Sequence, residues 1–162
     1  MIYDSRPDTH EHIATVRGLL LGVVAELLER AHRHDRSKLA EPERAAFDEF
    51  TPKLRDSTYG SDEYKEYLEG MGEGIRHHYE HNDHHPQHFK AKSPEDCGGV
   101  AAMDLIQLTE MLCDWLAATR RHADGDIRRS IVLNATRFDY GSEITQLLLN
   151  TVARLERREI QP

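Results

Sequence analysis

The spacing of apolar residues is the feature that most constrains the fold of this 162-residue chain. Between residues 13 and 31 the apolar side chains recur at steps of three and one, which places them along one stripe of a helix with 3.6 residues per turn. Similar stripes run through residues 105–116 and 144–155. No segment has the alternation and β-branched enrichment of a half-buried strand. The sequence therefore predicts an all-α fold.

Local signals divide the chain into about six helices. The first is predicted over residues 8–32, because Asp8 is followed at capping-box spacing by a glutamate. A short second helix is predicted to end at Pro52, and a third to begin at Ser61 and break near the glycines of residues 70–74. Later helices are predicted to start at Asp104 and Ser142, with another helix between them that includes Ile127, Ile131 and Phe138.

Length and charge limit the classes of protein that this chain can belong to. One domain over residues 1–162 is expected, since domains average roughly 150 residues. The net charge of −8 and the lack of a basic stripe disfavour binding to duplex nucleic acid. Apolar runs are far shorter than the ~20 residues that span a bilayer, so no membrane segment is predicted. Two cysteines and an N-terminus without an apolar leader segment favour the cytoplasm.

Histidine is unusually abundant, and its distribution is uneven. The chain has 11 histidines, and six of them fall between residues 77 and 88. They are His77, His78, His81, His84, His85 and His88. Such a run is typical of a metal site, of an anion-binding surface near the histidine pKa of about 6.5, or of a solvated helix end. Pro86 and the long loop predicted over residues 82–100 favour a site at the mouth of a cleft.

Four further residues are candidate metal ligands. His12 lies on the apolar stripe of the first helix, where a hydrogen-bonded core histidine is the alternative. His34 and Asp35 follow that helix and offer an imidazole and a carboxylate, both good ligands for a divalent transition metal. Asp114 falls in the most apolar stretch, where a buried carboxylate requires a metal, a strong hydrogen-bond donor or a cation such as Arg120 or Arg121. Glu110 is a possible neighbour behind the ligands.

The order of His12, His34-Asp35 and Asp114 over an all-α chain resembles the HD-domain superfamily of metal-dependent phosphohydrolases. Residues 34–38, His-Asp-Arg-Ser-Lys, look like the signature of that superfamily. Residues 77–80 resemble the paired-histidine segment of HD-GYP phosphodiesterases. The GYP tripeptide and the separate middle histidine of those enzymes are absent, and a histidine among residues 84–88 is a possible substitute.

A closer resemblance is to an uncharacterised HD-like family of bacterial and phage proteins, and it covers nearly the whole chain. Four motifs carry it: His-Asp-x-Ser-Lys, Tyr59-Gly60-Ser61, His-His-Tyr-Glu and Asp114-Trp115. This family implies the HD-like helical bundle but no assigned activity. The fold expected from the resemblance is therefore a single HD-like bundle, and the reaction is inferred from the wider superfamily.

The superfamily resemblance implies one or two divalent ions of Mn, Fe, Zn, Co or Ni. The implied ligands are His12, His34, Asp35, His77, His78 and Asp114. Lys38 would stabilise a phosphate, and Glu41 or a histidine of the run would relay a proton. Substrate contacts are expected from His81, His84, His85 and His88.

The expected function is hydrolysis of a small nucleotide or another phosphate ester. The alternatives are an HD-type di-iron oxygenase and a protein that binds or sequesters a nucleotide without turning it over. The sequence leaves the oligomeric state open.

Overall fold

A computed structural model describes residues 3–58, 60–90, 97–121 and 125–160. These residues form seven α-helices and three short 3-10 helices without a strand, which confirms the all-α prediction. Tyr59 of the Tyr-Gly-Ser motif lies outside the described residues. The helices are α1 (Arg6–Arg33), α2 (Glu43–Asp56), α3 (Asp62–Gly70), α4 (Gly72–His81), α5 (Leu105–Thr119), α6 (Ile127–Phe138) and α7 (Ser142–Ile160).

The chain divides into two compact units, residues 1–34 and 35–162. The first unit consists mainly of α1, which carries a proline in its first turn and ends at Arg33. The backbone N–H of the next residue, His34, donates to the Arg30 carbonyl at 2.8 Å. Ser5 precedes the helix, so Asp8 lies in the first turn instead of capping it. None of the helices in the described ranges has the length and apolar character needed to cross a membrane.

In the second unit, the prediction that Pro52 ends a helix is wrong. The helix continues through Pro52 to Asp56, and Ser57 ends it by donating from Oγ to the Leu54 carbonyl at 2.9 Å. A proline in a helix interior costs roughly 3 kcal/mol, because it removes one hydrogen bond and crowds the preceding turn. Packing of α2 against both α3 and α4 outweighs this cost.

The break predicted near residues 70–74 is confirmed. Helix α3 begins at the Ser61 cap, whose Oγ accepts from the Tyr64 backbone N–H at 3.1 Å, and it ends at Gly70. Gly72 has a φ of +52°, in the left-handed region that glycine adopts without steric cost, and α4 starts there. Gly74 then lets α4 approach α2 closely, because a Cβ at this position would lie 2.5 Å from Ala46 Cβ.

The core of the second unit lies among α5, α6 and α7. Met111, Ile131 and Val152 are fully buried in it, one from each helix. Asp104 caps α5 with the predicted capping box, since its side chain accepts from two backbone N–H groups and Gln107 reaches back. Helix α5 is therefore fixed at its start and along its apolar face. It is a rigid support for the side chains of Glu110 and Asp114.

Substitution of Gly74 by alanine tests the close approach of α4 to α2. We expect Gly74→Ala to lower the free energy of unfolding by about 1–3 kcal/mol, because the added methyl group overlaps Ala46. Chemical denaturation measures the change. Glu73→Ala is the matched control on the exposed side of α4 and should stay within about 0.5 kcal/mol of the original protein. Equal stability of the two variants would contradict the packing described here.

Candidate metal centre

Glu43 is the buried centre of a hydrogen-bond network in the second unit. Its side chain is 0% exposed and lies in the first turn of α2. Oε1 accepts from His77 Nδ1 at 2.8 Å, whereas Oε2 accepts from His78 Nδ1 at 2.8 Å and from Ser37 Oγ at 2.9 Å. Burial alone raises the pKa of this carboxyl, but the three hydrogen bonds outweigh it and lower the pKa. Glu43 is therefore an ionised acceptor at neutral pH.

Asp35 lies beside this network, at the start of a 3-10 turn over Arg36–Leu39. Its φ of +56° is left-handed, a conformation that aspartate tolerates better than most residues. The turn brings Lys38 Nζ to 2.5 Å from Asp35 Oδ2. The other carboxylate oxygen, Oδ1, lies 3.5 Å from both His78 Nε2 and His84 Nε2. These two distances exceed the usual hydrogen-bond range of about 2.7–3.2 Å.

The segment after α4 brings two more imidazoles to the same place. His84 is 2% exposed, and its Nδ1 lies 3.2 Å from Glu110 Oε1 on α5. His85 Nε2 lies 2.8 Å from His78 Nε2. Asn82 holds the start of this segment, because its side-chain amide donates to the His78 carbonyl at 2.8 Å. Two short turns, each closed by a backbone hydrogen bond at 3.2 Å or less, therefore direct both rings inward.

The carboxylates behind His78 and His84 determine which ring nitrogen faces the cluster. Because ionised Glu43 accepts from His78 Nδ1, the neutral ring of His78 presents a lone pair at Nε2. Glu110 orients His84 in the same way. A carboxylate bound to the second ring nitrogen is the usual support of a metal-ligating histidine, since it fixes the tautomer and makes the ligand more basic.

The pKa values of the buried imidazoles also favour the neutral, metal-ligating form. Burial lowers the pKa of His85 to about 2, with the neighbouring His84 and His78 acting in the same direction. Burial also lowers the pKa of His78, and the nearby Lys38 ammonium adds to this effect against the opposing carboxylates. His78 and His85 are therefore uncharged at neutral pH, the form in which an imidazole binds a metal.

Asp35, His78, His84 and His85 together form a candidate metal centre. One ligand atom from each of the four lies within 4.8 Å of the others. Three imidazoles and one carboxylate suit Mn, Fe, Co, Ni or Zn better than the oxygen-preferring Mg or Ca. Two ligand atoms at about 2.1 Å from one ion are separated by roughly 3.0–3.4 Å, depending on coordination geometry. The observed separations of 2.8 and 3.5 Å lie close to this range. The residues present therefore fit a divalent transition metal.

The other histidines of the run take different positions. His77 is oriented toward Glu43 and stacks on His81 at 3.9 Å, so that neither ring belongs to the four-residue cluster. His88 Nδ1 lies 3.1 Å from the Tyr79 carbonyl. His84 and His85, predicted as substrate contacts and considered as substitutes for the missing middle histidine, lie among the candidate metal ligands.

The remaining predicted residues divide between the two units. His12 and His34 lie in the first unit, on α1 and at its C-terminal end, whereas the cluster above consists only of residues of the second unit. Asp114 and Lys38 line a cavity next to the cluster. Glu41 is exposed and pairs with Arg44 at 2.8 Å, so it lies outside the described network.

That cavity, with a volume of about 190 Å³, connects the cluster with a set of cations. His78 and His85 line it together with Asp114. Three positively charged side chains, from the 3-10 turn, from α2 and from the turn after α5, also line it: Lys38, Arg55 and Arg121. Most of the remaining wall is apolar or aromatic, with Phe47, Leu54, Leu68, Met71 and Ile75 among its residues.

Sequence reasoning missed Glu43, Arg55 and Arg121. Acidic residues are common in the first turn of a helix, because their negative charge interacts favourably with the helix dipole. Glu43 therefore carries no distinct sequence signal. The two arginines resemble ordinary exposed charged residues of a helix and of a turn. In contrast, Glu110 occupies the supporting position considered for it, behind His84.

Substitution of Glu43 tests its role as a buried acceptor. Glu43→Ala leaves two imidazoles and a hydroxyl without their acceptor, so we expect a loss of about 3 kcal/mol in the free energy of unfolding. Glu41→Ala removes a carboxylate two residues earlier and should cost less than about 1 kcal/mol, since its ion pair is exposed. Chemical denaturation of both variants without metal measures the two losses. Similar losses in the free energy of unfolding would contradict the role of Glu43 as a buried acceptor.

The free energy of unfolding of the metal-free protein should decrease as the pH is lowered below about 6.5. Folded His85 remains neutral because its pKa is about 2, whereas the unfolded chain takes up a proton near pH 6.5. The unfolded state then binds more protons, so stability is present above pH 6.5 and is lost as the pH falls, by at most about 1.4 kcal/mol per pH unit for each such histidine. Denaturation between pH 5 and 7 in a chelator measures the slope.

The matched variants for this slope are His85→Gln and His81→Gln. His85→Gln should flatten the dependence, since it removes a group that protonates only on unfolding. His81→Gln changes an exposed ring at the end of α4 and should retain the original slope. Parallel curves for all three proteins would contradict the assignment.

In a comparison with protein-family models, residues 1–158 match a model described as a family of unknown function (DUF5662). No curated protein matches the chain. No solved structure matches it either. Because the family model covers nearly all of the sequence, the chain belongs to the DUF5662 family.

Proposed function

We propose that the protein is a metal-dependent phosphohydrolase that acts on a small phosphate ester, with nucleotides as the preferred class. The observation that carries this proposal is the juxtaposition of two features in the second unit. A cluster of three imidazoles and one carboxylate lies at a cavity that three cationic side chains also line. The first feature suits a transition metal, and the second suits the anionic oxygens of a phosphate.

Asp35, His78, His84 and His85 would hold the metal. A bound divalent ion makes hydroxide available at neutral pH and neutralises phosphoryl oxygens. Glu43 and Glu110 keep two of the rings in the ligating tautomer. Asp35 contributes the single carboxylate of the cluster, and its other oxygen binds Lys38.

The cavity residues bind and orient the phosphate. Lys38 acts as a point charge beside the cluster, because the short contact with Asp35 and the Phe47 ring 4.6 Å away fix its position. The guanidinium groups of Arg55 and Arg121 each offer a planar fork that matches phosphate oxygens. These cations place positive charge at the cavity in a chain whose net charge is −8, and Arg55 also pairs with the exposed Asp56 at 3.3 Å.

The size of the cavity restricts what enters it. A volume of about 190 Å³ is below the range of roughly 300–1,000 Å³ that is typical of sites for drug-sized ligands. The phosphoryl end of an ester therefore enters, and a bulky remainder stays outside. Apolar walls around Phe47, Leu54 and Ile75 reduce the access of water, which strengthens the interaction of the cations with the phosphate.

Metal content and phosphate release together test this proposal. Protein prepared without a histidine tag should contain transition metal by elemental analysis and release phosphate from a nucleotide panel under anaerobic conditions. His78→Ala should lose both metal and activity by roughly 100-fold, because it removes a buried ligand atom. His81→Ala, on the same helix but outside the cluster, should change neither by more than roughly twofold.

The outcomes separate the competing functions. The metal centre would be contradicted if the protein contained less than a tenth of an equivalent of transition metal and took up no more when Mn²⁺, Fe²⁺ or Zn²⁺ was added. A metal-loaded protein that releases no phosphate from the panel would contradict the hydrolase. Bound iron with consumption of dioxygen would instead support the oxygenase, and tight binding of an unchanged nucleotide would support a sequestering protein.

A further inference from the structure

We propose that the groove between α3 and α6 is a binding site for a mononucleotide, distinct from the metal centre. The groove has a volume of about 520 Å³, which is within the range of roughly 300–1,000 Å³ for small-molecule sites. Tyr64, Lys65 and Leu68 of α3 line one side, and Arg129, Leu133 and Arg137 of α6 line the other. None of the four candidate metal ligands lines it.

The charge of the groove indicates an anionic ligand. Arg129 and Arg137 are eight residues apart on one face of α6, so their Cα atoms are separated by about 12 Å along the helix. Neither side chain forms an ion pair with another residue in the described part of the chain. Lys65 is different, because it pairs with Asp62 at 2.9 Å. No carboxylate is among the described residues that line the groove, although the chain as a whole has a net charge of −8.

The surface between the two arginines suits a flat apolar body. Leu133 lies between them on α6, and Tyr64 and Leu68 face it from α3. An aromatic ring and two aliphatic side chains form a surface on which a nucleobase can pack. A guanidinium at either end can bind phosphate through two parallel hydrogen bonds.

These features together favour a mononucleotide over its separate parts. Inorganic phosphate would bind the arginines but leave the apolar surface in water. A nucleoside would cover that surface but leave the charges unmatched. A mononucleotide satisfies both, and its size suits the groove better than the smaller cavity at the metal centre.

Calorimetric titration of the full chain in a chelator tests the site without the metal. We expect AMP to bind. Adenosine and inorganic phosphate should each bind at least roughly tenfold more weakly than AMP, since each supplies only part of the contact. The double variant Arg129→Ala/Arg137→Ala should weaken AMP binding by roughly tenfold or more. Both residues are exposed, so the variant should remain folded, which its thermal unfolding curve checks.

Two control variants locate the binding. Arg128→Ala removes one positive charge from the same helix, half the change made by the double variant, but Arg128 pairs with Glu156 and does not line the groove. It should change AMP affinity by less than roughly twofold. Asp35→Ala disrupts the metal centre and should also leave the affinity unchanged.

The proposal is overturned by any of three results: no AMP binding at millimolar concentration, equal affinity in the double arginine variant, or loss of binding in Asp35→Ala. The last result would place the nucleotide at the metal centre. Because the titration requires neither metal nor turnover, its result is independent of whether the protein is a hydrolase.

Discussion

The buried carboxylate of Glu43 is the interaction on which the rest of the candidate site depends. An ionised carboxylate without compensation is costly to bury, by several kcal/mol after relaxation of its surroundings. Glu43 is compensated by Ser37, His77 and His78, which come from the 3-10 turn and from α4. The need to satisfy this charge therefore fixes the 3-10 turn, α2 and α4 relative to one another. It also fixes the ring of His78, and with it the nitrogen that faces Asp35.

The same carboxylate accounts for a pair of adjacent histidines on one helix. Neighbouring residues of a helix point about 100° apart, so His77 and His78 are poorly placed to bind one ion. A carboxylate, in contrast, has two oxygens, and each ring takes one of them at 2.8 Å. The pair therefore has one member that supports the network and one that presents its other nitrogen to the cluster. The second and third imidazoles of the cluster come from residues 84 and 85, where the chain is no longer helical.

The sequence allowed the helices to be predicted well, because an apolar stripe and a capping residue are local signals. The Ser61 cap, the break near Gly72 and the capping box at Asp104 are examples. Pro52 was predicted wrongly, since the packing that keeps α2 helical comes from distant residues. The site was predicted only in part for the same reason. Asp35 and His78 follow from motifs, but the role of Glu43 depends on partners as far as 35 residues along the chain.

Helix α3 connects the metal-centre cavity with the groove. Tyr64 and Leu68 line both, so these two side chains form a common wall. A ligand that packs against them in the groove restricts their rotamers, and those rotamers also shape the apolar side of the cavity. Since α3 is short and begins at a turn that includes Gly60 with a φ of +78°, it is held mainly by its packing on α2 and α4. The wall formed by Tyr64 and Leu68 is therefore where occupancy of the groove would most directly alter the cavity.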